Sequence, residues 1–78
     1  MQNSYKISER FKLVIKNKGL KQEELARRMG VTKQAVSYVL NHRLDCFWSD
    51  KEIDYWCKNI RVDSLKFYEL REQLQKES

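Results

Sequence analysis

Residues 22–39 read QEELARRMGVTKQAVSYV. Apolar residues at helical spacing, Leu25, Ala26 and Met29, lead into Gly30, and a second apolar set follows at Val36 and Val39. Glycine adopts positive φ without a Cβ penalty, so it can end one short helix in a tight turn. Two residues later stands Thr32, a good N-cap, followed by the polar pair Lys33 and Gln34. The spacing predicts two short helices over 22–29 and 32–40. What the polar opening of the second helix serves is the question the stretch raises.

Working outward, Ile7, Phe11, Val14 and Ile15 form one stripe on a helix expected over residues 5–18, with Lys12, Lys16 and Lys18 facing water. Gly19 supplies a left-handed stop, and Leu20 can fold back on the last turn. Glu23 and Glu24 suit the positive end of the second helix. Asn41 can take the left-handed conformation that closes the third. Ser49 and Glu52 form a capping box, with Trp48 and Ile53 as its hydrophobic staple and Ile53, Trp56, Cys57 and Ile60 as the buried face. A fifth helix is expected from Asp63 to about residue 76, with Val62 and Phe67 as its staple. The expectation is an all-α, compact five-helix bundle forming one domain over residues 1–78.

Composition narrows the function classes. The chain has 78 residues, no proline and two glycines, a length at which no inducer-binding or self-cleavage domain is expected. No apolar run approaches the ~20 residues a membrane span needs. The N-terminus MQNSYKISERF lacks the apolar segment of a secretory signal, so a cytoplasmic protein is expected. Cys46 and Cys57 show no framework spacing, and both are read as reduced. His42 and Cys46 fall short of a zinc pattern, so no metal is expected. Paired carboxylates, a Ser/His/Asp set and a phosphate-cradling glycine loop are all missing from the sequence, which argues against an enzyme. No cofactor and no small-molecule ligand is expected. Trp48, Tyr55 and Trp56 read as packing residues and not as a base-stacking platform.

Charge is distributed unevenly. Residues 1–43 hold ten Lys/Arg and three Glu, a net +7, whereas residues 44–78 hold six Lys/Arg and eight Asp/Glu, a net −2. A basic half suits a polyanionic partner, nucleic acid or an anionic membrane surface, or is simply a lysine-rich solvated face. The turn decides between them. Two helices joined by a tight glycine turn need a small residue at the crossing, here Ala26, and apolar contacts around it, here Leu25, Met29, Val31, Val36 and Val39. This pattern is a helix-turn-helix, whose second helix lies in the DNA major groove.

The stretch GLKQEELARRMGVTKQAVSYVLNHR (19–43) resembles the phage repressor and Cro-type helix-turn-helix family, and SDKEIDYWCKNIRVDSLKFYEL (49–70) is similar to that family's fourth helix and the start of its fifth. The resemblance spans about residues 7–67 and implies a lambda-repressor-like domain. Such a domain would bind operator DNA and regulate transcription, usually as a dimer and here as a repressor. By position it assigns base reading to Lys33, Gln34, Ser37 and Tyr38, and backbone contacts to Gln22, Thr32, Asn41, His42 and Arg43. Lysine suits guanine O6/N7 and glutamine suits adenine N6/N7.

Three departures accompany the resemblance. Lys21 replaces the usual Ser or Thr cap, and His42 stands where glycine is common. Ile15 and Leu40 occupy positions that often hold a buried Arg–Glu pair, and an apolar contact there is often neutral or stabilising. Beyond the motif, Phe67, Leu70 and Leu74 fall on one stripe. It is expected to build a homodimer, the alternative being that it folds over its own helices. A competing function is a protein-interaction module, antitoxin- or adaptor-like, that uses the fold as scaffold.

Overall fold

Among the described residues five α-helices and one 3-10 turn succeed one another: α1 (Lys6–Asn17), α2 (Gln22–Met29), α3 (Lys33–His42), the turn Asp45–Phe47, α4 (Asp50–Ile60) and α5 (Leu65–Glu77). The computed structural model describes residues 4–77, the Glu77 side chain excepted. Among the described residues there is no strand, and no helix is long and apolar enough to cross a membrane. The all-α, five-helix expectation is met.

The glycines do what their positions suggest. Gly19 has φ +68°, and the Leu20 N–H turns back to the Ile15 carbonyl at 3.1 Å while Leu20 packs on the core. Gly30 has φ +70°, and the Val31 N–H reaches the Ala26 carbonyl at 3.0 Å. Lys21 gives α2 no side-chain cap, whereas the Thr32 hydroxyl accepts the Ala35 N–H at 3.1 Å and starts α3 firmly.

Other ends differ from expectation. Helix α3 runs on through Asn41 and His42, and Asn41 is helical, not left-handed. Both side chains bind back to the preceding turn, Asn41 Nδ2 to the Ser37 carbonyl at 2.8 Å and His42 Nδ1 to the Tyr38 carbonyl at 3.0 Å. Extended Arg43 then ends the helix. Only half of the capping box at α4 forms. Ser49 accepts the Glu52 N–H at 3.3 Å, but the Glu52 carboxylate turns to Arg43. Arg61, with φ 59°, closes α4 in the left-handed region where glycine is usual. Asp63 lies before α5, its carboxylate accepting the Leu65 N–H at 3.0 Å, so the helix begins two residues later than expected.

One core joins all five helices. Phe11 lies between Trp48 and Phe67, with ring centroids 4.8 and 3.9 Å away, and Trp56 meets Trp48 edge-on at 5.5 Å. Ile15 and Leu40 both sit in this core, as the apolar exchange implied. Val31, expected as a turn contact, is instead 46% exposed.

The stripe expected to build a dimer also faces inward. Phe67 and Leu74 are buried and Leu70 is half-buried against the same core. A core this small draws its fifth helix in, because each large apolar side chain buried contributes about 1.5–3 kcal/mol. Phe67 and Leu74 are therefore core residues in this fold, and of the stripe expected at a dimer surface Leu70 alone keeps part of its side chain at the surface.

Candidate nucleic-acid interface

Packing of α2 on α3 through buried Ala26 and Leu25 leaves the other face of α3 outward. Its buried side is Val36 and Leu40; Lys33, Gln34 and Tyr38 are exposed, Tyr38 by 65%, and Ser37 is half-buried. These four side chains share one side of the helix, so the structure brings the expected reading residues together. Lys33 lies 3.6 Å from the Glu23 carboxylate, a solvent-exposed pair and therefore a weak tether. Tyr38 stacks on His42 with centroids 4.4 Å apart and rings 20° from parallel, which stiffens the end of this face.

Around it stand the residues expected at the DNA backbone. Gln22 opens α2, where N–H groups not bonded within the helix point outward. Thr32 caps α3 and is exposed. Asn41 and His42 occupy the last turn of α3. The net +7 half of the sequence, residues 1–43, is the half that forms α1, α2 and α3.

Residues 5–42, from the residue capping α1 to the end of α3, match the helix-turn-helix family model. This segment is a helix-turn-helix of the phage repressor and Cro type. No curated protein and no solved structure matches the chain. A helix-turn-helix of this type places the chain among DNA-binding transcription regulators.

One residue beyond the matched segment, Arg43, expected at the phosphate backbone, is engaged within the fold. Its guanidinium donates to the Glu52 carboxylate at 2.8 Å and lies over the Trp48 ring, 4.8 Å from the centroid. Its carbonyl accepts the Ser8 hydroxyl at 2.8 Å, and the Trp48 indole N–H donates to the same hydroxyl at 2.8 Å. The physical reason is that the chain turns inward after α3, so Arg43 covers Trp48 and locks the loop to α1 and α4.

Asp45 was not anticipated at all. It is 6% exposed, and its carboxylate accepts the Ile7 N–H at 2.8 Å and the Ser4 hydroxyl. Tyr5 gives α1 no side-chain cap, so Asp45 serves as the cap from 38 positions along the chain. No local pattern signals such a partner. Cys46 and Cys57 are both free, Cys46 exposed and Cys57 buried.

Proposed function

We propose that the chain is a sequence-specific transcription repressor whose α3 enters the major groove of an operator. The exposed polar face of α3 inside a helix-turn-helix carries this reading. Lys33 and Gln34 stand at the start of the helix, the end that in this docking meets base edges. Ser37 and Tyr38 lie about one turn further along, where a hydroxyl suits a base edge and a tyrosine ring suits a thymine methyl. Gln22, Thr32 and His42 flank that face and serve the sugar-phosphate backbone, which sets register without carrying sequence information. Bound at an operator, the domain represses by occupancy, excluding polymerase or another regulator from the site.

Two copies on inverted half-sites, about one helical turn apart, complete the proposal. With Phe67 and Leu74 in the core, contact between copies falls to side chains such as Phe47, 65% exposed on the turn after α3. Selecting bound duplexes from a random DNA pool tests the reading. Recovery of one recurring motif with inverted symmetry supports it, and a pool unchanged after several rounds contradicts it.

A further inference from the structure

We propose that Lys12 of α1 grips a DNA phosphate, and that Asn41 acts as the residue that positions it. The inference rests on α3 being the helix that docks on DNA. Asn41 itself has no donor left for a phosphate. A carboxamide nitrogen carries two N–H donors, and those of Asn41 face the Ser37 carbonyl at 2.8 Å and the Ser37 hydroxyl at 3.3 Å. Its oxygen accepts from Lys12 Nζ at 2.7 Å. An amide oxygen offers nothing to a phosphate oxygen, since both are acceptors.

The ammonium is what the carboxamide presents. It has three donors, of which Asn41 takes one, and the side chain is exposed. Its position is also right. Lys12 bonds the last turn of α3, and with Lys16 and Gln22 it lines a hollow of about 510 Å³ between α1 and α2. Lys12 therefore lies between two of the points assigned to the backbone, Gln22 and the end of α3. Glu9 lines the same hollow and brings the only carboxylate among its lining residues.

Free lysine side chains are flexible and lose rotamer freedom on binding. Asn41 offsets part of that loss by fixing the ammonium beforehand. The chain Lys12–Asn41–Ser37 also ties a backbone contact to a residue of the reading face, so register set at the phosphate reaches the groove side of α3. The sequence shows Lys12 only as one of several lysines facing water.

Four full-length variants test this on a random-sequence DNA duplex and on the selected duplex: Lys12→Gln, Asn41→Ala, the two combined, and Gln34→Ala. Thermal unfolding of Lys12→Gln should match the parent, because the side chain is exposed. Its slope of log K against log salt should fall by about 0.9 per bound copy, about an eightfold loss of affinity near 0.1 M salt on both duplexes. Asn41→Ala should weaken binding with the slope retained, and should weaken it no further once Lys12 is gone. An unchanged slope for Lys12→Gln, or an undiminished Asn41→Ala effect without Lys12, overturns the inference. Gln34→Ala separates the two levels. If it removes the preference for the selected duplex while the Lys12→Gln slope stays unchanged, Lys12 alone is misassigned. If even the parent chain binds without salt dependence, the docking of α3 falls with it.

Discussion

Arg43 and Glu52 are joined at 2.8 Å across the loop between α3 and α4, with the guanidinium stacked on Trp48. That geometry ties Arg43 into the fold. An exposed ion pair is worth about 0.2–1 kcal/mol and a cation–π contact about 0.5–1 kcal/mol. Arg43→Ala should therefore cost about 1–2 kcal/mol in urea unfolding. DNA affinity of the folded fraction should barely change. A large affinity loss at unchanged stability would return Arg43 to the phosphate backbone.

Asp45 gives a second stability prediction. Its carboxylate is buried and accepts from the Ile7 N–H and the Ser4 hydroxyl. Asp45→Ala leaves those donors without their partner and should lower stability by about 1–3 kcal/mol. Hydrogen exchange should speed first at the N-terminal turn of α1, beginning with the amide of Ile7. Uniform acceleration over all helices would mean that Asp45 does not cap α1.

Phe67 contrasts with its expected role at a dimer surface. It is stacked on Phe11 at 3.9 Å, so Phe67→Ala should lose about 3–5 kcal/mol, a large share of the stability of so small a domain. Thermal unfolding checks it. A variant that melts like the parent but no longer self-associates would restore the interface reading.

The two thiols should behave oppositely. Burial pushes the Cys57 thiol up to about 12, with Asp54 and Asp63 adding to the rise. In the folded chain Cys57 stays protonated and shielded, so a thiol reagent should label Cys46 rapidly and Cys57 only on unfolding. The unfolded thiol ionises from about pH 9. Stability owed to the protonated folded form is thus complete below pH 9 and lost as pH rises towards 12. The stability margin of the parent over Cys57→Ala should shrink across that window. Equal labelling of both thiols in the folded chain would contradict their placement.

What the sequence made legible was what depends on neighbours. Gly19, Gly30, Thr32 and Ser49 act within a few residues of themselves, so helix starts and stops were readable from spacing. The outward set Lys33, Gln34, Ser37 and Tyr38 followed from the same periodicity. Long-range partners were not legible. Asp45 meets α1 from 38 positions away, and Lys12 meets Asn41 from 29. Arg43 looked like a basic loop residue because nothing local reveals Trp48 beneath it and Glu52 beside it. The apolar stripe of α5 was visible, but periodicity cannot say whether such a stripe meets its own core or another copy. Arg61 lacked the glycine that marks a left-handed stop.

Base reading by the start of α3 is tested most directly by the ratio of affinity for a selected duplex to affinity for random DNA, measured for the parent, Lys33→Ala and Gln34→Ala. Both side chains are exposed, so folding should be unaffected. Gln34→Ala should lower binding to the selected duplex by about 1–3 kcal/mol and leave binding to random DNA nearly unchanged, because base contacts specify and phosphate contacts do not. The ratio should fall accordingly. Ratios for both variants equal to the parent's would show that the exposed face of α3 does not read the operator.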